Sequence, residues 1–153
     1  MSLDLTSTAF RHGGLIPKQH TGDGRNVSPP LKWSAPPADT RSLALLCEDP
    51  DAPRGTFTHW VLFNIPATSF GLKEGLAQQA TLPDAARHGT NDFGKVGYGG
   101  PAPPPGKPHH YHFKLFALDE SLDLDAGASK QQLLEAIKGH ILGETQLIGV
   151  YGR

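Results

Sequence analysis

The sequence SLALLCEDPDAPRGTFTHWVLFNI, residues 42–65, contains two apolar runs separated by an acidic, proline-rich segment. The runs at 42–47 and 58–65 are short and rich in aliphatic, aromatic and β-branched residues, which is typical of buried strands. The run HHYHFKLFAL at 109–118 predicts a third strand. Eighteen glycines and fourteen prolines, dispersed among many such short runs, favour an all-β domain with elaborate loops.

Size and composition restrict what the chain can be. The 153 residues fit one domain of ordinary size, so we expect a single domain over 1–153. A net charge of −1 indicates no general attraction to nucleic acid. The single cysteine, Cys47, fits a reducing compartment, and we expect a cytoplasmic location. We expect neither a membrane span nor a secretory signal, because no apolar stretch has the length or flanks for either.

One helix is predicted near the C-terminus, at about residues 129–142. Ser129 is suited to cap it, and Gln132 stands in the reciprocal capping-box position. The apolar residues that follow at helical spacing are Leu133, Leu134, Ile137 and Ile141. Gly143 is a suitable stop. Further strands are expected at 31–33 and in the tail TQLIGVYGR, 145–153, whereas 66–108 is mostly loop.

Side chains alternate across a strand, which assigns the residues of each run to a face. Three rows result, each apolar with a polar tip: Leu43, Leu45, Cys47 and Asp49; His59, Val61, Phe63 and Ile65; His109, Tyr111, Phe113, Leu115 and Ala117. If the first strand runs antiparallel to the other two, the tips Asp49, His59 and His109 lie at one end of the core. A register shift of one residue would separate them.

Other interpretations of these residues stay open at this point. Asp49 and Asp51 flank a proline, and Asp-Pro segments commonly shape turns. A metal site or a small hydrolase could use the same carboxylates and histidines. However, His110 and His112 share their face with Lys114, so we expect them to face outward. No G-x-S-x-G motif indicates a nucleophilic serine.

Several motifs resemble those of the phosphatidylethanolamine-binding protein family. They are DPDAP at 49–53 followed by HW at 59–60, and GYGGPAPPPG at 97–106 followed by HHYHFKLFALD at 109–119. The segment NVSPPLKWSAPPADTRSLALLCEDPDAP, 26–53, is similar to the usual lead-in of the family. GHILGETQLIGVYGR, 139–153, is similar to the close of its bacterial, Raf-kinase-inhibitor-like branch. The resemblance covers nearly the whole chain.

The resemblance implies an antiparallel Greek-key β-sandwich of two sheets with a small anion pocket at one end. Its ligand-binding residues fall on Asp49, Asp51, Pro53, His59, Gly100, Pro101, His109 and Tyr111. The family binds phosphate-like anions there, including phospholipid head groups. The resemblance also implies a cis bond between Ala52 and Pro53. No catalytic residue, metal or cofactor is expected.

These observations predict a non-enzymatic protein that binds phosphate or a phosphorylated small molecule. Asp49 is expected to raise the pKa of His59 and His109, whose charged rings then donate to the anion. Tyr111 and backbone amides around Gly100 complete the predicted shell. The alternative is an inhibitor of a protease or kinase that acts by protein–protein contact, with the pocket gating its partner. Bacterial relatives are often dimeric, so a homodimer is also expected.

Overall fold

The structure is a computed structural model that describes residues 3–153. Within this range the strands are β1 (Leu5–Thr6), β2 (Leu31–Trp33), β3 (Ser42–Asp49), β4 (Phe57–Pro66), β5 (Gly71–Leu72), β6 (Arg87–His88), β7 (His109–Leu118) and β8 (Ile141–Tyr151). The α-helix, α1, is Lys130–Ile137, and a short 3-10 helix lies at Lys18–His20. In the described part of the chain, no helix combines the length and apolarity needed to cross a membrane.

The strands form two antiparallel sheets. The larger sheet has the order β6-β4-β3-β7-β8, and the smaller has the order β1-β2-β5. Strand β3 lies between β4 and β7 and is antiparallel to both. Strand β7 reaches its place beside β3 only after the long connection 67–108, which is a Greek-key type of return. The predicted antiparallel β-sandwich with one helix is therefore confirmed.

Two apolar cores lie on the two faces of the larger sheet. The main core lies between the sheets and joins Leu45 and Phe113 to Trp33 of the smaller sheet. The helix core lies between the larger sheet and α1, where Leu46 packs with Leu133 in one cluster. Every residue of β3 is buried, because β3 contributes to both cores. Burial on both faces explains why SLALLC shows no alternation.

Strand β4 does not alternate as predicted. The predicted row of His59, Val61, Phe63 and Ile65 is wrong, because the register between β4 and β3 shifts twice. Each shift places an extra residue on β4, as a β-bulge does, and one of them includes Asn64, which has a φ of 55°. As a result Val61 and Phe63 belong to the helix core, and only Ile65 returns to the main core.

Helix α1 begins as predicted but ends earlier. The capping box is complete: Ser129 Oγ accepts from the amide of Gln132 at 3.1 Å, and Gln132 Oε1 accepts from the amide of Ser129 at 2.9 Å. The predicted extension to about residue 142 is wrong, because the helix stops at Ile137. Gly139, with a φ of 79°, then turns the chain, and Ile141 begins β8. The last strand is therefore longer than predicted.

We expect Ser129→Ala to lower the free energy of unfolding by about 1 kcal/mol, because it removes the side-chain acceptor of the capping box. Urea unfolding measures the change. The control is Ser121→Ala: Ser121 is exposed and makes no hydrogen bond with the rest of residues 3–153, so its replacement should change stability by less than about 0.5 kcal/mol. Equal losses in the two variants would contradict the importance of the cap.

Candidate functional site

Asp49 and His109 form a buried pair at one end of the main core. Asp49 ends β3 and His109 begins the antiparallel β7, so the topology brings them together. His109 Nδ1 donates to Asp49 Oδ2 at 2.6 Å, and Asp49 Oδ1 accepts from the amide of Asp51 at 2.8 Å. Asp49 is only 3% exposed and His109 only 8%. The carboxylate therefore orients the imidazole, whose Nε2 bonds to nothing else in residues 3–153.

His59 reaches the same cluster because of the β-bulge between Thr58 and Trp60. The pairing with β3 passes from Trp60 to Thr58 without a partner for His59, whose ring then lies beside Tyr111 on the main-core side. His59 Nδ1 donates to the carbonyl of Gly99 at 2.6 Å. Because Nδ1 is occupied by this bond, the other ring nitrogen, Nε2, is the one that can contact a ligand.

The charge of His59 differs from the prediction. Burial lowers the pKa of His59, and the opposing effects of the Gly99 carbonyl and of Asp49 do not reverse that shift. The expected rise of its pKa is therefore wrong, because the loss of hydration outweighs the nearby carboxylate. At neutral pH the ring is mainly uncharged, and its Nε2 accepts a hydrogen bond instead of donating one.

Tyr111 contributes a hydroxyl group without a partner. Its side chain is fully buried, and its Oη has no hydrogen-bond partner within residues 3–153. Burial, followed by the charge of Asp49, raises the pKa of Tyr111 well above its usual range, so the group remains a protonated donor. The ring stands edge-on to that of His59, with 5.2 Å between centroids. An unpaired buried hydroxyl costs about 1–3 kcal/mol, so an acceptor beside it would be stabilising.

Two phenylalanines that sequence reasoning missed border this cluster. The ring centroids of Phe57 and Phe93 lie 4.9 and 5.5 Å from that of His59 and 4.8 Å from each other. Phe93 is 44% exposed. A Cβ atom on Gly99 would lie 2.4 Å from the Phe93 ring, so the ring can rest there only because the residue is glycine. The signal in the sequence that could have indicated Phe93 is the turn NDFG at 91–94, which contains one aromatic residue.

Two predicted residues lie on the outer side of the turn between β3 and β4. Asp51 is exposed, and its Oδ2 accepts from the amide and from Nδ1 of His110, which lowers the pKa of Asp51. Pro53 is exposed as well. The bond between Ala52 and Pro53 is trans, so the predicted cis bond is wrong. The chain reverses instead through a turn in which the amide of Gly55, at a φ of 107°, donates to the carbonyl of Ala52.

Gly100 and Pro101 are buried, but their backbone groups hold another loop. The amide of Gly100 donates to Asn26 Oδ1 at 2.8 Å, and the carbonyl of Pro101 accepts from the amide of Gly22 at 2.8 Å. A Cβ atom on Gly100 would lie 2.4 Å from the carbonyl oxygen of His20, which explains the glycine. The predicted free amide at Gly100 is therefore wrong, because Asn26 already accepts from it.

The remaining histidines lie apart from the Asp49–His109 pair. His110 and His112 occupy the face of β7 opposite Tyr111, as the alternation predicted, and His110 is exposed. Within residues 3–153, one group of three side chains has metal-ligating atoms close together: Asp119, Glu120 and His140. None of its members is a predicted site residue. The structure thus brings together Asp49, His59, His109 and Tyr111, and we call these four residues the Asp49 cluster.

The burial of uncharged histidines predicts a loss of stability in acid. Burial lowers the pKa of both His59 and His88, so below about pH 6.5 the unfolded chain binds protons that the folded chain does not. The free energy of unfolding should therefore be retained above about pH 6.5 and should fall as the pH drops below it toward the lowered pKa values of the two rings. Urea unfolding at several pH values measures this slope.

His59→Gln should reduce that slope, because it removes one of the two histidines. Ser121→Ala is the control, since Ser121 is exposed and its replacement removes no titratable group, and should leave the slope as in the unmodified protein. An identical slope in the unmodified protein and in His59→Gln would show that His59 is not held uncharged.

Comparison with known proteins gives matches that span almost the whole chain. The family model described as phosphatidylethanolamine-binding protein matches residues 6–152. A UPF0098 protein of Methanothermobacter thermautotrophicus is 52% identical over 151 residues, which cover 99% of each chain. A UPF0098 protein of Aquifex aeolicus is 44% identical over 155 residues, with 99% of this chain and 89% of the relative covered.

Solved structures agree with the sequence relatives. The Escherichia coli protein YbcL, described as a member of the mammalian PEBP family, is 34% identical with a TM-score of 0.92, covering 100% of this chain and 99% of its own. The PEBP homologue CT736 of Chlamydia trachomatis is 39% identical with a TM-score of 0.90, covering 99% and 98%. The family model spans almost the entire chain and the fold agrees throughout, and the chain therefore belongs to the phosphatidylethanolamine-binding protein family.

Proposed function

We propose that this protein binds phosphate-like anions, including phosphorylated head groups, at the Asp49 cluster, and that it does so without catalysing a reaction. The observation that carries the proposal is the hydroxyl of Tyr111. It is buried, protonated and without a partner in residues 3–153, and it belongs to a ring packed against His59. A buried donor of this kind is satisfied by an anion that enters the cluster.

The hydrogen-bonding capacity of the cluster suits a protonated phosphate. The Tyr111 hydroxyl donates to a phosphate oxygen, whereas Nε2 of the uncharged His59 accepts the proton of a P–OH group. A phosphate or phosphate monoester that keeps one proton offers both an acceptor and a donor. Sulfate, which has no proton at neutral pH, offers only acceptors.

Asp49 acts through His109. Both carboxylate oxygens of Asp49 already accept hydrogen bonds, from His109 and from the amide of Asp51, so the aspartate orients the imidazole instead of meeting the anion directly. The ring of His109 stands between the carboxylate of Asp49 and the anion, with its Nε2 left to contact the anion. The imidazole thus separates two negative groups that would otherwise repel each other.

The surroundings favour binding of a head group over chemistry on it. The four side chains of the cluster are almost completely buried, and the partly exposed ring of Phe93 lies beside His59, where a larger substituent on the anion would extend. The thiol of Cys47 lies on the same strand, but burial raises its pKa well above the usual value, which leaves it a poor nucleophile.

Inhibition of a protease or kinase stays a second hypothesis. The proline-rich residues 104–108 are exposed and stiff enough to present a surface to a partner. A target complex that forms equally well with Asp49→Ala and His59→Ala would favour this function.

The expected homodimer is likewise a proposal, and sedimentation would test it.

Isothermal titration calorimetry at about pH 7 tests the proposed anion site. We expect phosphate and phosphoethanolamine to bind with one site per chain and sulfate to bind at least about tenfold more weakly, since it has no proton for His59 Nε2. As the pH falls and His59 becomes protonated, the preference for phosphate over sulfate should shrink. Absence of phosphate binding, or equal affinity for sulfate at neutral pH, would contradict the proposal.

Two tyrosine variants separate binding from folding. Tyr111→Phe should weaken phosphate binding by about tenfold or more without lowering stability, because its hydroxyl has no partner in the described protein. Tyr98→Phe is the matched control. The hydroxyl of Tyr98 donates to the carbonyl of His20 at 2.6 Å, so its loss should cost about 1–3 kcal/mol of stability and leave phosphate affinity unchanged.

A further inference from the structure

A cavity of about 440 Å³ lies beside α1 on the face of the larger sheet opposite Tyr111. Cavities of about 300–1,000 Å³ commonly hold small organic ligands. We call it the lysine cavity, and the residues that matter for its chemistry are Leu46, Glu48, Lys114, Phe116, Lys130 and Leu134. They come from β3, β7 and α1, so the wall is built from regular elements and not from loops alone.

A buried carboxylate holds the two lysines in place. Glu48 is only 5% exposed. Its Oε1 accepts from Lys114 Nζ at 2.8 Å, and its Oε2 accepts from Lys130 Nζ. Burial by itself would raise the pKa of Glu48, but the hydrogen bonds from Lys114 and Lys130 hold that pKa below its usual value. Glu48 therefore remains charged at neutral pH.

The lysine cavity carries an excess of positive charge. Two ammonium groups face one carboxylate, which leaves a net charge of +1 among them. Each ammonium has three N–H donors, and Glu48 accepts from each of them through one oxygen. The remaining donors of Lys114 and Lys130 are available to an anion in the cavity.

Neighbouring polar groups indicate which part of the lysine cavity favours an anionic group. His112 also lines the cavity, where its Nδ1 donates to Gln146 Oε1 at 3.1 Å, and an imidazole contributes no negative charge. An adjoining cavity toward β8 shares Lys114 and contains the acidic Glu144. An anionic group is therefore favoured between Lys114 and Lys130, away from β8.

Most of the remaining wall is apolar, with Thr56 as a polar exception. Leu46 and Phe116 belong to the helix core, and Leu134 packs against it one turn after Lys130. A ligand that uses the whole cavity must combine one negative charge with a hydrocarbon portion. A dianionic head fits less well, because a net charge of +1 balances one negative charge and Glu48 repels a second.

We propose that the lysine cavity binds a monoanionic amphiphile, a medium-chain carboxylate whose head contacts Lys114 and Lys130 and whose chain lies on Leu46, Phe116 and Leu134. This site is separate from the Asp49 cluster. Glu48 and Asp49 are consecutive residues of β3, and their side chains therefore point to opposite faces of the sheet.

Calorimetry with octanoate tests the proposal on the full chain. We expect one octanoate to bind per chain, octanol and acetate to bind at least about tenfold more weakly, and octylamine not to bind. Saturating phosphate should not displace octanoate. Octanol binding as tightly as octanoate, displacement by phosphate, or absence of saturable octanoate binding would each overturn the proposal.

Two variants that change the local charge in opposite directions test whether the ion pairs of Glu48 have only a structural role. Lys130→Gln should weaken octanoate binding about fivefold to tenfold, and Glu48→Gln should strengthen it by a similar factor, because the two changes alter the local charge in opposite directions. Lys138→Gln is the control, since Lys138 is an exposed lysine paired with Glu135 just after α1, and should leave the affinity unchanged.

Each variant is first compared with the unmodified protein by circular dichroism, and affinities are compared at a temperature at which all are folded. If Lys130→Gln and Glu48→Gln shift octanoate affinity in the same direction, or if neither shifts it, the lysines serve only to attach α1 to the sheet and the proposal fails. The opposite signs are what a structural role would not produce.

Discussion

The end of β3 carries two consecutive buried carboxylates, and much of the surrounding structure serves to pair them. Glu48 and Asp49 lie on opposite faces of the larger sheet. An unpaired buried carboxylate costs several kcal/mol, so each face must supply a partner. The main-core face supplies His109, and the helix-core face supplies Lys114 and Lys130. Both candidate sites are thus the polar ends of the two cores that β3 separates.

The β-bulge between Thr58 and Trp60 decides where His59 lies at the end of the main core. Without an extra residue in β4, the alternation that places Trp60 in the main core would turn the neighbouring His59 to the other face. The bulge instead keeps His59 near Tyr111, where burial leaves its ring uncharged. Within residues 3–153 the cluster therefore contains an uncharged acceptor beside a donor that has no partner.

Local signals in the sequence were sufficient for most of the fold. The apolar runs located β3, β4 and β7, and the Ser129–Gln132 capping box located the start of α1. Features that depend on distant contacts were not predictable in this way. The bulges arise from pairing between strands, and Ile141 fits a helical pattern although it begins β8. Similarly, the amide of Gly100 is occupied by Asn26, 74 residues earlier, which no motif reveals.

The complete burial of β3 also bears on how the sheet finds its alignment. Because β3 is apolar in both alternating rows, a slip by one residue would still bury apolar side chains on each face, and a carboxylate would still end each row. Strand β7 has no such freedom, since a slip would exchange Tyr111 and Phe113 with His112 and Lys114. The alternation that selects the native alignment therefore lies in β7, and the central strand β3 is compatible with the alignment that β7 requires.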